Sequence, residues 1–351
     1  MMNNAMHLVT GSAGYVGGLI SDKLLEEKIK VIGVDLHNTY SNINSKNLKS
    51  IQGDITDTEF LRSVFENNKN ISCIYHCAAK LLYKNREKDL FFKTNIDSTK
   101  NLIDLAIKNK VKNFIYISSN CVYGKVNALN LPENTKLQPF EKYGESKLQS
   151  EKILMSYKDK INIVIIRPPT IIGEGRLGIL SVVFDFIKEN KKLCLVGSGN
   201  NKYQFVYGKD LAQACLLSSK YKKSNIFNIG TYDPHSLNQM FRNIIKTTNS
   251  KTKLYYLPSS IMLPIMKICY KIGISPLGPY QYNMMTNTYS GDITLIKNEL
   301  NWEPTKNNLE ILLDSYNYYI DNYDIIHNNS RLSGHKKVGK AGIIKLLKWL
   351  S

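Results

Sequence analysis

The residues of this sequence that are best suited to chemistry are a tyrosine and a lysine four positions apart, Tyr143 and Lys147. They open a segment with helical periodicity, and residues at i and i+4 share one helix face, so the phenol and the ammonium can point into one cleft. A free tyrosine has a pKa of about 10, and a nearby ammonium favours the phenolate. Such a phenol could exchange a proton with an alcohol near neutral pH. Ser119, at the end of an apolar run, could hold the same substrate oxygen.

A glycine turn near the N-terminus predicts a partner for this chemistry. Residues 6–35 contain a short apolar run, a glycine turn, an amphipathic helix and a second apolar run, which is one βαβ unit. Gly11 can take the tight turn, Gly14 lets the backbone approach a pyrophosphate, and Gly17 lets the helix lie close to the strand. Asp35, at the end of the second run, can bind the adenosine ribose hydroxyls and would repel a 2′-phosphate. The cofactor predicted is NAD rather than NADP.

Each of these patterns also has an ordinary structural explanation. A turn between a strand and a helix often needs glycine, Tyr-x-x-x-Lys is common on solvated helix faces, and serines at strand ends usually form turns. The strand, helix and acidic residue around the glycines agree with each other, and Ser119, Tyr143 and Lys147 follow in order. The combination therefore favours a catalytic site.

The elements that must position these residues alternate between strand and helix. After Asp35, strands are predicted at 48–52, 71–76, 113–118 and 162–167, with helices at 58–67, 90–108 and 143–157. This rhythm indicates an α/β fold, a Rossmann-type doubly wound parallel sheet with ligands at the strand C-termini and a smaller C-terminal substrate-binding lobe.

The second half of the chain is less regular. Helices are predicted at 179–188 and 209–219 and a strand at 192–196, while Pro258, Pro264 and Pro276 are expected to break an apolar segment into short helices that cover a pocket. The domains expected are residues 1–168 for the cofactor and catalysis, 169–325 for the substrate with some segments returning to the core sheet, and 326–351 as a basic tail.

Composition narrows the class of protein. With 351 residues, 43% hydrophobic and 22% charged, the chain is ordinary for a globular protein. Its six cysteines form no C-x-x-C pair and no metal spacing with the six histidines, so we expect reduced thiols, a cytoplasmic location and no metal. Neither a signal peptide nor an apolar run of about 20 residues is evident. The net charge of +18 suits anionic ligands, but no nucleic-acid motif is present and no nucleic acid is expected.

The C-terminal tail carries part of this charge. Residues 331–351 contain six Lys or Arg and no acidic residue, and a helical wheel places Ile343, Leu346, Leu347 and Leu350 on one face. This pattern is typical of a short interfacial helix on anionic lipid, which would give peripheral contact with the inner face of a membrane. Docking of the same face onto the protein core or a partner subunit is the equal alternative.

Ordered motifs along the chain place it in a family. They are TGSAGYVG (10–17), GDITD (53–57), HCAAK (76–80), TNIDST (94–99), SSNCVYG (118–124), YGESK (143–147), RPPTIIG (167–173), FVYGKD (205–210), FNIG (227–230) and NELNWEP (298–304). With Asp35, these make the chain resemble an extended short-chain dehydrogenase/reductase of the NAD-dependent epimerase/dehydratase family over roughly residues 5–322.

The resemblance implies a role for individual residues. Ser119, Tyr143 and Lys147 match the catalytic triad of that family, Asn95 supports the active-site strand, and His76 is expected only to pack. The cofactor-binding residues that the resemblance implies are Gly11, Ala13, Gly14, Tyr15, Val16, Asp35, Asp54, Ile55, Ala78, Ala79, Lys80, Asn95, Tyr143, Lys147 and Pro168, with Pro169 beside the last.

Departures from the family pattern concern the substrate. Asn120 and Cys121 replace the Asp-Glu pair that serves water elimination in 4,6-dehydratases. Cys121 also stands where GDP-fucose synthase has its epimerising cysteine, but the partner histidine is missing, so packing is the first expectation and acid/base chemistry the second.

Tyr203, preceded by Lys202, replaces the diphosphate-binding arginine of UDP-galactose 4-epimerases. A lysine supplies only a point charge, and Arg176 could compensate. Thr170 replaces an asparagine near the diphosphate. The candidate substrate contacts are Cys121, Thr170, Arg176, Lys202 and Tyr203.

The resulting hypothesis is an NAD-dependent epimerase of a nucleotide sugar, acting at C4 of a UDP-hexose through a keto sugar, as in cell-surface polysaccharide biosynthesis. The alternative is a net dehydrogenase of a sugar, sterol or lipid-linked alcohol. A non-catalytic binding protein is disfavoured because Ser119, Tyr143 and Lys147 are all present. The resemblance also implies a homodimer through the helices that follow the fourth and fifth strands.

Overall fold

Seven parallel strands form the central sheet in a computed structural model that describes residues 5–38, 46–82, 87–178, 180–272 and 278–328. The strands of the protein are β1 (Met6–Thr10), β2 (Lys30–Asp35), β3 (Leu48–Gln52), β4 (Ile71–His76), β5 (Asn113–Ile117), β6 (Ala128–Leu131), β7 (Asn162–Arg167), β8 (Thr170–Ile172), β9 (Leu193–Val196), β10 (Phe205–Tyr207), β11 (Asn225–Asn228), β12 (Leu254–Leu257) and β13 (Tyr289–Gly291). The sheet order is β11-β7-β5-β4-β1-β2-β3, and β8–β10, β9–β12 and β6–β13 pair separately.

Helices cover both faces of the sheet. They are α1 (Tyr15–Glu26), α2 (Thr58–Glu66), α3 (Lys88–Phe92), α4 (Ser98–Lys108), α5 (Lys142–Met155), α6 (Leu180–Lys188), α7 (Gly208–Ser218), α8 (Leu237–Thr247), α9 (Ser259–Lys271), α10 (Pro279–Thr286), α11 (Thr294–Leu300), α12 (Asn308–Asp321) and α13 (Tyr323–Asn328). The prediction of an α/β, doubly wound parallel sheet is confirmed. β1 lies between β4 and β2, so the chain reverses direction across the sheet beside the glycine turn, where such folds bind ligands.

The central strands are apolar on both faces because helices cover each of them. Leu8 and Val9 of β1, and Ile163 to Ile166 of β7, are completely buried. Continuous apolar runs of this kind are typical of parallel sheets. A second core, around Tyr203, Phe205 and Met240, consists mainly of residues from the C-terminal half. The division into domains at residues 168 and 325 stays a prediction.

A buried ion pair joins the sheet to the helix that carries Tyr143. Arg167, the last residue of β7, donates to Glu151 of α5 through Nε at 3.0 Å and through a terminal nitrogen at 2.7 Å. The same carboxylate accepts a hydrogen bond from Ser118. The guanidinium also donates to the Tyr123 hydroxyl and to the backbone of Glu133. A buried charge pair needs such additional partners to offset its desolvation.

Two predicted elements differ from the structure. The single helix expected at 90–108 is α3, a π-helical turn at Lys93–Asp97, and α4. Pro264 was expected to break the chain, and this was wrong, because it lies inside α9. A proline costs a helix one hydrogen bond and a clash but does not always end it. Pro276 and the tail 331–351 lie outside the described residues.

All six cysteines have free thiols. Across the described ranges, every helix is too short or too polar to span a membrane.

Candidate active site

The glycine turn after β1 is shaped by close backbone contacts. Gly11 has a φ of +71°, which L side chains rarely adopt, and a Cβ there would lie 2.7 Å from the backbone nitrogen of Ala78. At Gly17 a Cβ would lie 2.2 Å from the Gly11 oxygen. Gly14 precedes α1, and no described side chain caps it. The first amides of α1, from Tyr15 and Val16 onward, therefore begin at a bare glycine turn that suits an anion.

Carboxylates follow β2 and β3 on the same edge of the sheet. Asp35 accepts hydrogen bonds from the backbone nitrogens of Ala13 at 3.1 Å and of His37 at 3.0 Å, so it stiffens the glycine turn. Asp54, after β3, accepts a hydrogen bond from the Thr56 nitrogen at 2.8 Å, and Ile55 beside it is buried. These positions match the predicted adenosine side of a dinucleotide site.

Asn95 joins the loop after β4 to helix α5. Its side chain accepts from the Lys80 nitrogen at 2.8 Å, donates to the Lys80 oxygen at 3.1 Å, and donates to Ser146 at 3.0 Å. Ala78 is partly buried and Ala79 is exposed on that loop. Asn95 is 2% exposed and lies within the π-helical turn, which aims its amide at the loop. The predicted supporting role of Asn95 is consistent with these contacts.

The three predicted catalytic residues lie at the C-terminal end of β5. The Lys147 ammonium donates to the carbonyl of Ile117 at 2.7 Å, and lies 5.7 Å from the ring centre of Tyr143. Ser119 follows two residues later, and its Oγ accepts from the Cys121 nitrogen at 3.2 Å. Helix α5 approaches this loop so closely that a Cβ on its third residue, Gly144, would lie 2.7 Å from the Cys121 oxygen.

Burial dominates the electrostatics of this pair. It lowers the pKa of Lys147 to about 8 and raises the pKa of Tyr143, while the positive charge of Arg176 works in the opposite direction on the phenol. Burial of the phenol therefore outweighs the acidifying effect that the sequence predicts for the neighbouring ammonium. The Lys147 ammonium is hydrogen-bonded to the Ile117 carbonyl, and at pH 7 the Tyr143 phenol carries its proton.

A polar cluster closes the substrate side of the site. Asn120 donates to the hydroxyl of Tyr203 at 3.1 Å and accepts from the hydroxyl of Tyr280 at 3.3 Å. The two tyrosine hydroxyls are 2.6 Å apart, and Thr170 lies 3.0 Å from that of Tyr280. Pro168, buried at the end of β7, accepts a hydrogen bond from the Asn120 nitrogen at 2.9 Å. We call Asn120, Thr170, Tyr203 and Tyr280 the tyrosine cluster.

The other predicted substrate residues are placed differently. Cys121 is buried, and burial raises the pKa of its thiol, which agrees with packing as its first role. Arg176 stacks its guanidinium 5.4 Å from the ring centre of Tyr15, beside the glycine turn. Lys202 is exposed. The structure therefore brings Thr170, Arg176 and Tyr203 toward the cleft and leaves Lys202 at the surface.

Two features of the site could not be predicted from the sequence. Tyr280 comes from α10, 160 residues after Asn120, in a segment whose periodicity says nothing about which wall it completes. His76 packs as predicted, between the hydroxyls of Thr10 at 2.7 Å and Thr99 at 2.9 Å. Those two hydroxyl partners could not be inferred, because they depend on how β1, β4 and α4 meet.

Comparisons with known proteins show which family the chain is similar to. A family model described as the NAD dependent epimerase/dehydratase family matches residues 7–230. The chain is 32% identical to a putative UDP-glucose 4-epimerase of Methanocaldococcus jannaschii over 253 residues, which are 69% of this chain and 81% of that protein. It is 31% identical to a human dTDP-D-glucose 4,6-dehydratase over 271 residues, 70% of this chain and 76% of that protein.

A solved structure is also similar over nearly the whole chain. The UDP-glucose 4-epimerase of Thermotoga maritima, crystallised with UDP-glucose, superposes with a TM-score of 0.75 at 25% identity. The match covers 91% of this chain and 99% of that one.

The residues present fit the cofactor that the family requires. The backbone leaves no room for a side chain at Gly11 or Gly17 and little at Gly14, and the start of α1, which no described side chain caps, can receive a pyrophosphate. Asp35 can receive ribose hydroxyls, and Tyr143 and Lys147 lie at the catalytic end of β5. The chain therefore belongs to the NAD-dependent epimerase/dehydratase family and is an NAD-dependent enzyme.

Proposed function

We propose that this enzyme interconverts the C4 epimers of a nucleotide-linked hexose, with UDP-hexoses as the leading substrate class. The observation that carries the proposal is the assembly of Ser119, Tyr143 and Lys147 at the end of β5, with the Lys147 ammonium held on Ile117. Similarity to proteins named as UDP-glucose 4-epimerases supports the substrate class.

The chain's own groups would handle the proton and the sugar oxygen. Held by the glycine turn and Asp35, NAD would supply a reversible hydride acceptor for the sugar carbon. Tyr143 removes the C4 hydroxyl proton and later gives it back to the keto oxygen, while Ser119 holds that oxygen. The phenol pKa must fall for the first step, and the cations of Lys147 and Arg176 favour that fall. For the second step, the protonated phenol that burial favours is already the required form.

The residues after Ser119 favour epimerisation over water elimination. Asn120 is hydrogen-bonded to Tyr203 and Tyr280, and a side-chain amide neither loses nor gains a proton near neutral pH. The raised pKa of Cys121 keeps it as a buried thiol. Neither residue can act as the carboxylate acid/base pair that elimination uses in the dehydratases this chain resembles.

One observation favours a second candidate, a net dehydrogenase of a sugar, sterol or lipid-linked alcohol. Tyr203 stands where the resemblance places a diphosphate-binding arginine, and it is 1% exposed with its hydroxyl committed to the tyrosine cluster. Diphosphate recognition would then rest on Arg176 beside the glycine turn. A substrate alcohol without a diphosphate would need neither that arginine nor Arg176.

The deciding experiment incubates the purified enzyme with a panel of nucleotide sugars and resolves the products by chromatography. We expect a C4-epimer pair at equilibrium with no net change in NADH absorbance. In parallel, heat-released nucleotide is measured. Stoichiometric NAD supports epimerisation, because the cofactor must stay bound through the cycle, whereas cofactor-free enzyme with net NADH production supports the dehydrogenase and contradicts our proposal.

The remaining expectations concern assembly and location. We expect a homodimer through α4 and α5, the two long helices that follow β4 and β5, and a cytoplasmic enzyme. Light scattering on the full chain tests the dimer, and a monomer at micromolar concentration would contradict it.

A further inference from the structure

Helix α9 has an apolar stripe that faces outward. Ile261, Ile265 and Ile268 lie on it and Ile272 follows its last residue, with spacings of four, three and four that put all of them on one face. Their exposed fractions are 46–63%, and none of the residues described for α9 is buried. A contiguous stripe of this kind is unusual on a soluble monomer and marks an interaction site.

The charge around this stripe has one sign. Between residues 234 and 291 the sequence has six Lys or Arg and no Asp or Glu. Lys267 and Lys271 lie on α9 itself, one turn apart and to one side of the isoleucines. The strand before α9 presents Tyr255 and Tyr256, both about two-fifths exposed. Arg242 donates to the Tyr256 hydroxyl at 2.9 Å, so a further cation lies at that edge.

We propose that α9 is a docking helix that lies in the interface of an anionic phospholipid bilayer. The isoleucines would enter the boundary of the acyl chains, and Lys267 and Lys271 would contact the phosphates. An apolar stripe with flanking cations and neighbouring tyrosines is what such an interface selects. This inference goes beyond the catalytic function and does not depend on it.

Charge favours an anionic bilayer over the two other partners that could cover the stripe, which are the C-terminal tail and a second copy of the chain. The tail 331–351 has six Lys or Arg and no acidic residue, so Lys267 and Lys271 would repel it. A second copy packed antiparallel on α9 across a two-fold axis would place the same lysines of both chains on one side of the interface. An anionic lipid surface is complementary to both basic segments at once.

The docking helix is connected to the active site through α10. Tyr282 of α10 donates to the backbone oxygen of Met266 in α9 at 2.9 Å. Two residues earlier, Tyr280 supplies a hydroxyl to the tyrosine cluster. The bilayer would therefore lie one helix away from the wall of the substrate site.

The test is co-sedimentation of the full chain with vesicles of phosphatidylcholine, with and without phosphatidylglycerol. We expect binding only to the anionic vesicles, weaker at high salt because the lysines are screened. Ile265→Ser/Ile268→Ser and Lys267→Glu/Lys271→Glu should each lower the partition coefficient roughly tenfold or more. The matched control is Leu129→Ser, which removes a similarly exposed apolar residue from β6. Thermal unfolding verifies that each variant is folded.

Three results would overturn the proposal. The first is that anionic vesicles fail to retain the wild-type chain at low salt. The second is that the isoleucine variant binds as tightly as the wild type, which would assign all binding to the tail. The third is a dimer, seen by light scattering, that the isoleucine substitutions convert to monomer without vesicle binding, which would assign the stripe to a second copy. As a positional check, Ile268→Trp should give an additional blue-shifted emission only with anionic vesicles.

Discussion

The ammonium of Lys147 is 2.7 Å from the backbone oxygen of Ile117, the last residue of β5. This contact ties helix α5, which carries Tyr143, to the strand whose end precedes Ser119. It also fixes the ammonium in a buried position, where its pKa falls to about 8. The positive charge of Lys147 is therefore present at neutral pH and is lost as the pH rises through about 8.

The first prediction concerns this alkaline limit. Lys147 is charged below its pKa, so turnover should be retained below pH 8 and should fall as the pH rises through about 8. Lys147→Met should lower kcat roughly 100-fold at pH 7, because the fixed charge beside the phenol is removed. A pH profile of kcat/KM for the wild type tests the limit. A rate that stays constant to pH 10 would contradict the assignment.

The second prediction separates proton transfer from cofactor binding. Tyr143→Phe removes the hydroxyl but keeps the ring, so turnover should fall by roughly 100-fold or more while bound NAD is unchanged. The measurements are kcat and the nucleotide content of the purified protein. Unchanged turnover would exclude Tyr143 as the acid/base.

The third prediction uses adjacent glycines in α1. Gly17→Ala places a Cβ 2.2 Å from the Gly11 oxygen, which should cost about 2–3 kcal/mol of stability and abolish NAD retention. Gly18→Ala is the matched control, because its nearest contact would be 3.7 Å away and alanine favours a helix. Denaturant titrations and nucleotide content should show a clear loss for Gly17→Ala and little change for Gly18→Ala. Equal behaviour would mean that the close approach of helix and turn does not matter.

The fourth prediction concerns the choice between NAD and NADP. Asp35→Asn keeps a side-chain oxygen for the Ala13 nitrogen but removes the charge that would repel a 2′-phosphate. We expect the NADP Kd to fall and the NAD Kd to rise, so that their ratio changes roughly tenfold or more. Calorimetric titration of both nucleotides measures the ratio, and an unaltered preference would show that Asp35 does not set it.

The fifth prediction concerns stability in acid. Burial lowers the pKa of His76 to about 3, whereas a free histidine titrates near 6.5. The unfolded chain then binds the extra proton first, so the free energy of unfolding should fall from this group by about 1.4 kcal/mol per pH unit below pH 6.5. His76→Gln should show a shallower loss between pH 6 and 4 in urea titrations. Identical slopes would refute the buried neutral imidazole.

The parts of the site that the sequence predicted are those made by local patterns. The turn from Gly11 to Gly17 and the pair Tyr143 and Lys147 each lie within one βα or helical unit, where spacing determines geometry. The tyrosine cluster could not be predicted, since Tyr280 reaches Asn120 from 160 residues away through packing of the C-terminal helices. The pKa of Tyr143 was misjudged for a similar reason. Sequence spacing gives the neighbour's charge but not the burial that outweighs it.

Because of the π-helical turn at Lys93–Asp97, the position of Asn95 depends on the number of residues in this helical segment. A turn of this kind holds one residue more than a regular α-helix. Deleting a single residue there would leave an uninterrupted helix but rotate everything on its N-terminal side by about 100°. Asn95 would then leave the loop at Lys80, so we expect natural variation in chain length to avoid this turn and to occur at the helix ends.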